Sequence, residues 1–332
     1  MKHVLKLSML MLLGFVSCKQ EKGKEEPMVI DETQVKPYAE ISIKEGGDWQ
    51  DGPRDHKEYI GGTFKNVQEM TVPSEHTDHS WYIRYEGPGW ENKNIGYRLY
   101  LDWRNAIDIY GKKVDTLVLP YVGQDGFDSY HEMSPWGQDI LKAGKSLGIG
   151  GYGRLVNDTV KHFERVEKTA ASVFNTDTVS GVRIDYKGWQ TANDTIDLKT
   201  TLRIFSEDRY TKAELNVSKA VDGICTGIVK FDSIPLIQKE GIHWAYIATY
   251  GTQTLVNDAD KLGMAVFYKL SEVKEVKEGA YDHLVVFNPA TTYSYYFLGA
   301  WEQELGGLKN EADFTAYLEG LLQKLDTKGT LN

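Results

Sequence analysis

The amino-acid sequence predicts a mainly β protein, a large antiparallel β-sandwich with a few short helices and one C-terminal helix. Many short segments rich in β-branched and aromatic residues alternate between apolar and polar positions, as half-buried strands do. Turn-forming sequences such as TANDT, NDAD and KEGAYD separate these segments. The chain has 332 residues, of which 41% are hydrophobic and 12% aromatic, so it can bury a large core.

The N-terminus predicts an exported lipoprotein. Residues 1–17 combine a basic start, an apolar run and small residues, as a signal peptide does. Cys18 follows directly, as in a lipobox, which predicts its acylation and a lipid anchor in the outer membrane, facing the periplasm or the cell surface. A signal peptide cleaved nearby and an anchoring helix are the alternatives. Residues 18–35 are charged and predict a tether, and residues 36–332 predict a single β-sandwich catalytic domain.

The body of the chain supplies mostly strand candidates. In order, they are ISIK, WYIRYEG, YRLYLDWRNAID, TLVLPYV, TAASVFNT, GVRIDYKGW, IDLKTTLRIF, AELNVS, GIVKF, WAYIATYG, MAVFYKL, HLVVFN and YSYYFLGAWE. Two segments predict helices, PWGQDILKAGKSL and NEADFTAYLEGLLQKLDTK. In the second, Asn310 is the expected cap, and five apolar residues recur at helical spacing: Phe314, Leu318, Leu321, Leu322 and Leu325.

Charge and cysteine content limit the possible partners. The formal net charge is -10 and the body of the chain has no dense Lys/Arg block, which argues against nucleic acid. An acidic sugar remains possible, because local arginines can invert the potential inside a cleft. Cys225 is the only cysteine besides Cys18, so no internal disulfide is expected in the domain.

The strand candidate that begins at Tyr97 carries the first indication of a site. Alternation places Arg98, Tyr100, Asp102 and Arg104 on one face, opposite an apolar face. Such a polar face suits an anionic, hydroxyl-rich ligand, with Arg98 and Arg104 as substrate-binding residues. The alternative is that the two arginines pair with Asp102 and with carboxylates on neighbouring strands.

The loop after this strand offers groups for acid/base chemistry. His131 stands beside Tyr130 and Glu132, and a loop histidine near carboxylates is a candidate general acid or base, or else it caps a turn. Trp136 is a candidate sugar-stacking residue, with core packing as the alternative. Lys145 is either a substrate-binding cation or a solvated surface charge.

Further candidates lie outside this stretch. His243 begins the strand HWAYIATYG, and Glu302 closes the largely apolar face of a late strand, so both are candidate substrate-binding groups. His76 and His79 are three residues apart, which is a weak metal signal without a cysteine or an HExxH pattern, and no metal is expected. GIGGYG fits the letters of a dinucleotide motif but opens no predicted helix, so no nucleotide cofactor is expected.

Two blocks carry a resemblance to a known family: GPGWENKNIGYRLYLDWRNAIDIYGKK and HEMSPWGQDILKAGKSLGIGGYGRL. They resemble a family of secreted or lipid-anchored proteins encoded beside polysaccharide-degradation genes, long catalogued as a domain of unknown function, which includes an oligosaccharide dehydratase of ulvan breakdown. The resemblance runs from about residue 40 to the end of the chain. It implies a galactose-mutarotase-like β-sandwich that needs no organic cofactor.

The resemblance also implies a substrate and a reaction. The enzyme would remove water from a saturated glucuronic or iduronic acid at the non-reducing end of a sulfated oligosaccharide, giving a 4,5-unsaturated uronate. This reaction needs neutralisation of the uronate carboxylate, a base for the C5 proton and an acid for the C4 hydroxyl. We expect His131 to be the base, oriented by Glu132, and Tyr100 or Tyr130 to be the acid.

The same hypothesis assigns the binding roles and leaves other functions open. Arg98 or Arg104 would bind the uronate, and Lys145 a neighbouring sulfate. One alternative is a mutarotase or epimerase with His243 and Glu302 as its acid/base pair, and another is a polysaccharide lyase, which removes the same C5 proton. A lipoprotein that binds glycans without chemistry is the third.

Overall fold

Antiparallel sheets dominate the fold, as the sequence predicts. The computed structural model describes residues 35–53, 56–125 and 129–332. The signal segment, Cys18 and the tether up to residue 34 lie outside the described residues. The described residues all belong to one compact unit. No helix in that part is both long enough and apolar enough to cross a bilayer.

Twenty strands are described, and their pairing defines three sheets. In chain order the strands are β1 (Tyr38–Asp51), β2 (Lys57–Val67), β3 (Glu69–Thr71), β4 (Gly89–Glu91), β5 (Ile95–Leu99), β6 (Ile107–Lys112), β7 (Gly137–Asp139), β8 (Ile149–Val156), β9 (Thr159–Lys161), β10 (Lys168–Asn175), β11 (Val179–Thr191), β12 (Asp194–Phe205), β13 (Thr211–Val217), β14 (Ile224–Val229), β15 (Ile237–Glu240), β16 (Trp244–Gly251), β17 (Leu262–Lys269), β18 (Val273–Glu278), β19 (Asp282–Phe287) and β20 (Thr292–Trp301). The six-stranded sheet has the order β2-β1-β4-β5-β6-β7. The nine-stranded sheet has the order β15-β16-β17-β20-β13-β12-β11-β10-β3, and the five-stranded sheet has the order β18-β19-β14-β8-β9.

The main core joins the three sheets through aromatic side chains. The rings of Tyr97 on β5 and Phe297 on β20 meet edge to face, with centroids 5.4 Å apart. The polar atoms of these buried rings find partners across the sheets: Trp90 donates its indole N–H to Thr211 at 2.9 Å, and Tyr295 donates its hydroxyl to the Gly150 carbonyl at 2.8 Å. The predicted β-sandwich class is therefore confirmed.

The predicted C-terminal helix is also confirmed. Helix α1 spans Glu311–Lys328, and the Asn310 side chain accepts a hydrogen bond from the Asp313 N–H at 2.9 Å. All five of the apolar residues at helical spacing are buried. Phe314 packs directly on Gly263 of β17, where an added Cβ would lie 2.6 Å from the Phe314 ring. The absence of a side chain at Gly263 therefore lets the helix approach the nine-stranded sheet.

Two predicted strands form tight turns instead. WYIRYEG contains a 3₁₀ turn at Arg84–Glu86, and TLVLPYV contains one at Leu119–Tyr121. In the second segment the buried Glu91 carboxylate accepts hydrogen bonds from the backbone N–H groups of Val118 and Leu119, each at 2.8 Å. The side chain thus takes the place of a strand partner for these backbone groups.

The long strand predicted from Tyr97 is two strands joined by a turn. Strand β5 ends at Leu99, a turn follows, and β6 begins at Ile107. The Asp102 carboxylate accepts a hydrogen bond from the Arg104 N–H at 2.8 Å, and Asn105 has a φ of 49°, so local side-chain bonding favours a turn over extension.

The segment PWGQDILKAGKSL, for which a helix is predicted, is fully described and contains no helix. Gly137, with a φ of 127°, begins β7, and an added Cβ there would lie 1.8 Å from the Gly111 carbonyl oxygen. Asp139, at the end of β7, is buried beside Arg98. Close pairing with β6 and this buried ion pair override the apolar spacing that suggested a helix.

Packing of α1 on the sheet gives a stability prediction. Phe314→Ala should lower the free energy of unfolding by about 3–5 kcal/mol, because it opens a cavity against Gly263. Urea denaturation of the purified protein measures the change. Lys324→Ala, at an exposed position of the same helix, is the control and should stay within about 0.5 kcal/mol of the parent. Equal stability of the two variants would contradict this account of the packing.

Candidate functional site

A buried arginine cluster lies where β5, β6 and β7 meet the loop that ends at His131. We use "arginine cluster" for Arg98, Tyr100, Asp108, Tyr130 and Asp139. The Arg98 side chain is 1% exposed, and its Nη2 lies 2.6 Å from Asp139 Oδ2 and 3.1 Å from Asp108 Oδ2. Arg98 also donates to the hydroxyls of Tyr100 at 2.6 Å and Tyr130 at 2.9 Å. The cluster satisfies both terminal nitrogens of the guanidinium inside the protein.

Strand register explains why these residues meet. Arg98 on β5 lies directly opposite Asp108 on β6, and Tyr110 on β6 lies opposite Asp139 on β7. Cross-strand neighbours with opposite charges stabilise an antiparallel pair. Asp108 and Asp139 were not among the predicted site residues, because strand pairing is not readable from one sequence.

The cluster holds two carboxylates around one guanidinium. Burial raises the pKa of Asp108 to about 7, and the negative charge of Asp139 adds to this effect, while Arg98 and the Tyr100 hydroxyl oppose it. Burial also raises the pKa of Tyr100 and of Tyr130 above the usual value for a phenol. At neutral pH both phenols are therefore protonated, and burial favours the protonated form of Asp108.

His131 forms the accessible edge of the cluster. It ends a 3₁₀ turn at Ser129–His131, and its side chain is 32% exposed. Its Nε2 lies 3.2 Å from Asp139 Oδ2, and its ring centroid is 4.5 Å from that of Tyr130. The carboxylate in contact with the imidazole is thus Asp139, whereas the expected partner, Glu132, is exposed. The structure thus brings Asp139 to the His131 ring, at the place where the sequence suggested Glu132.

Arg104 covers the cluster from the other side. Its guanidinium carbon lies 3.9 Å from the centre of the Tyr100 ring. Its Nη2 lies 3.0 Å from Glu86 and 3.1 Å from Asp78, and its Nε donates to Asp102 at 3.0 Å. Arg98 and Arg104 thus both contact Tyr100, but they do not share a strand face as predicted, because Arg104 lies in the turn after β5. Protein carboxylates hold both arginines, which was the alternative interpretation of their pattern.

The loop of residues 79–86, which we call the strained loop, has an unusual backbone. Four of its residues have positive φ angles: His79 at 61°, Trp81 at 63°, Tyr85 at 42° and Glu86 at 69°. Non-glycine residues in this region carry strain, and such residues cluster at functional sites. Sequence reasoning weighed His76 and His79 in this loop only as a weak metal signal and predicted a strand after them, so it did not place the loop at the site.

One group in this loop has the composition of a metal site. Asp78, His79 and Glu86 offer ligand atoms within 4.8 Å of one another. The Arg104 guanidinium, however, already lies within 3.1 Å of both carboxylates. An ion would have to displace this cation, so the arrangement suits a guanidinium better than a metal. His76, the other histidine of the predicted pair, instead accepts or donates a hydrogen bond with Ser80 at 2.7 Å, and burial lowers its pKa to about 4.

A cavity of about 470 Å³ adjoins the cluster. Its walls are formed by strands β1 and β2, by the strained loop and by residues 123–125. They include Lys44, Phe64, Trp81, Glu86 and Tyr130. Tyr130 and Glu86 therefore connect the cavity with the buried charges. Its volume lies in the range of clefts that bind small molecules.

Other predicted binding residues lie elsewhere or are buried. Trp136 is half-buried and packs edge-on to Tyr110, with ring centroids 6.1 Å apart, so it is part of the packing around the cluster. Trp103, 37% exposed in the turn after β5, is the accessible tryptophan of this stretch. Lys145 is exposed, and its ammonium lies 5.9 Å from the centre of the Tyr281 ring. It lines a separate cavity of about 380 Å³, which Trp103 also lines.

His243 and Glu302 lie far apart. His243 precedes Trp244, which pairs with Lys269 at one end of β17, whereas Glu302 follows Trp301, which pairs with Leu262 at the other end. Eight residues of β17 separate the two ends, roughly 25 Å at about 3.4 Å per residue. The two side chains therefore cannot act as one acid/base pair on a single sugar.

The raised pKa of Asp108 predicts a pH-dependent stability. Because the folded pKa lies above the ordinary value of 3.8, folding favours the protonated carboxyl, and this contribution is lost as pH rises toward and through 7. Asp108→Asn should remove it and reduce the loss of unfolding free energy between pH 5 and pH 8, by on the order of 2 kcal/mol. Urea denaturation across this pH range measures the difference.

The control for this experiment is Asp115→Asn, at an exposed position. It should leave the pH dependence of the parent unchanged. An unaltered dependence in the Asp108 variant would mean that its carboxyl does not take up a proton in this range.

Comparison with known proteins identifies the family. No curated protein matches this chain. A family model described as "Domain of unknown function (DUF4861)" matches residues 22–330, which include the arginine cluster, the strained loop and α1. The chain therefore belongs to the DUF4861 family.

Proposed function

We propose that the protein is an oligosaccharide dehydratase of the ulvan-degrading type. Its substrate would be a sulfated oligosaccharide with a saturated glucuronic or iduronic acid at the non-reducing end, and its product a 4,5-unsaturated uronate. The observation that carries the proposal is the contact of His131 with Asp139, beside the phenol of Tyr130 at the wall of a cavity. An imidazole that could act as base and a phenol that could act as acid are thus in contact, and the phenol lines the cavity.

His131 is the proposed base for the C5 proton. Its Nε2 lies 3.2 Å from Asp139 Oδ2, so this buried carboxylate can hold the imidazole in place. Abstraction of the proton leaves the C5 electron pair, which forms the C4–C5 double bond as the C4 oxygen departs. Asp139 stabilises the imidazolium that forms, as the buried carboxylate does in other His–Asp pairs.

Tyr130 is the proposed acid, with Tyr100 behind it. The Tyr130 hydroxyl faces the buried Arg98, which stabilises the phenolate that develops when the proton passes to the C4 oxygen and water leaves. Arg98 thus has a different role from the predicted one, because Asp108, Asp139 and two phenols already occupy its terminal nitrogens. Tyr100 donates to Asp108 at 2.7 Å and keeps the cluster in place.

The N-terminal sequence supports an exported location for this activity. We propose that Cys18 carries the lipid anchor of an outer-membrane lipoprotein and that residues 18–35 hold the domain away from the membrane. A periplasmic or surface position would give the enzyme access to oligosaccharides released from an extracellular polysaccharide.

The direct test uses a short sulfated oligosaccharide with a saturated uronate at its non-reducing end. Incubation with the purified protein should give new ultraviolet absorbance together with the loss of one water from an intact chain. New absorbance with chain cleavage would identify a lyase, which removes the same proton but expels a sugar. Interconversion of isomers without mass change would identify a mutarotase or epimerase, and saturable binding without a product would identify a glycan-binding lipoprotein.

The base assignment gives a mutational prediction. His131→Ala should lower kcat about 10²–10⁴-fold, the usual contribution of a positioned general base. Glu132→Gln is the matched control at the adjacent, exposed position and should stay within about twofold of the parent, since surface changes away from a site act weakly. Thermal unfolding confirms that both variants are folded. Full turnover by the His131 variant would overturn the assignment.

A further inference from the structure

The proposed reaction leaves the sugar carboxylate without an assigned partner. Arg98 is buried against Asp108 and Asp139, and Arg104 contacts Asp102, Glu86 and Asp78, as described above. Deprotonation at C5 increases the negative charge on the adjacent carboxylate, so an enzyme of this type needs a cation close to it. The missing cation must come from another residue on the wall of the site.

Lys44 is a lysine in the wall of the cavity that Tyr130 and Glu86 share with the cluster. Its ammonium donates to the Tyr59 carbonyl oxygen at 3.4 Å and lies 5.4 Å from the centre of the Phe64 ring. Within the described residues, no carboxylate lies within 4.0 Å of this ammonium. Burial lowers the pKa of Lys44, as expected of a cation whose partners are a carbonyl and a ring.

The backbone around Lys44 holds it in place. Its N–H donates to the Tyr82 carbonyl at 2.9 Å, and it pairs with Phe64 across β1 and β2. The rings of Trp49, Tyr59 and Tyr82 lie within 5.3 Å of one another and join this hairpin to the strained loop. Lys44 therefore projects from a supported strand rather than from a loose loop.

The other groups in the cavity fit an anionic sugar. The carboxylate of Glu86 is neutralised by Arg104 at 3.0 Å, and Asp125 is exposed. Phe64 and Trp81 provide aromatic walls against which a pyranose ring can pack. Gln124 adds an amide for sugar hydroxyls. The wall thus offers a uronate one cation, Lys44, together with aromatic surfaces and an adjacent phenol, while Asp125 adds a second carboxylate beside Glu86.

We propose that Lys44 binds the carboxylate of the reacting uronate in this cavity and is the specificity-determining residue for an acidic sugar. The inference rests on the proposed dehydratase function for its kinetic consequence, whereas binding of a free uronate tests it independently. Lys44 replaces the arginines that the sequence suggested for this role.

The experiment compares Lys44→Met with the parent on two substrates, the uronate oligosaccharide and its uronate methyl ester. Loss of one charge-assisted hydrogen bond should lower kcat/KM about 10- to 100-fold on the acid. On the neutral ester the same variant should lose less than about threefold, because the ester carries no charge for the ammonium to bind. Lys44→Arg, which keeps a cation, should restore part of the activity.

Lys65→Met is the matched control. Lys65 lies next to Phe64 on the same hairpin, but it is exposed and paired with Glu45, so its substitution should leave both substrates unaffected. Thermal unfolding shows whether each variant is folded. A Lys44→Met variant that is folded and loses activity equally on acid and ester, or not at all, overturns the inference.

Binding of glucuronic acid, followed by NMR titration, separates this inference from the proposed function. If the parent turns over no oligosaccharide but binds glucuronic acid, and Lys44→Met abolishes that binding while Lys65→Met does not, the dehydratase proposal fails and the binding site stands. If the parent is an active dehydratase and Lys44→Met retains its KM for the acid and its affinity for glucuronic acid, the binding site fails and the dehydratase proposal stands.

Discussion

The buried Arg98 guanidinium is the interaction on which the candidate site depends. It holds Asp108 and Asp139 on two neighbouring strands and the hydroxyls of Tyr100 and Tyr130. Removing charges from water is costly, and a buried ion pair offsets this cost only when its remaining hydrogen bonds are also satisfied. The cluster meets this condition at Nη1 and Nη2, whereas the buried Nε of Arg98 has no hydrogen-bond partner among the described residues. Its value therefore lies in fixing the positions of two phenols and, through Asp139, of the His131 ring.

Local patterns predicted the elements whose contacts are mostly regular. The spacing of apolar residues in α1 and the alternation in strands such as β12 report burial on one face, which a single sequence displays directly. The prediction of a strand for WYIRYEG was wrong because the conformation of this segment depends on distant residues. Arg84 pairs with buried Glu40, and Glu86 pairs with Arg104. These tertiary contacts hold a strained backbone that no local preference would favour.

The residues of the site were predictable only in part, because their partners are also set by tertiary contacts. Residue types and proximity in sequence grouped Arg98, Tyr100, Tyr130 and His131, and the structure brings these four together. Their roles depend on burial and on partners, which sequence alone does not give. A conspicuous arginine on a polar strand face proved to be an internal counter-ion, because Asp108 lies opposite it in the register.

The charge balance of the cluster explains how such an arrangement would serve elimination. Dehydration releases one proton from C5 and consumes one proton at the C4 oxygen. A site that moves both protons therefore needs no net supply of protons from solvent. His131 and Tyr130 lie side by side. His131 contacts Asp139, and the Tyr130 hydroxyl accepts a hydrogen bond from Arg98. A proton taken up by the imidazole can therefore return to the phenolate after water leaves. Burial and the charge of Asp139 raise the pKa of Asp108, so the two carboxylates around Arg98 take up a proton more readily than free carboxyl groups would. In the proposed reaction, protonation of Asp108 would leave more of the positive potential of Arg98 to stabilise the tyrosinate.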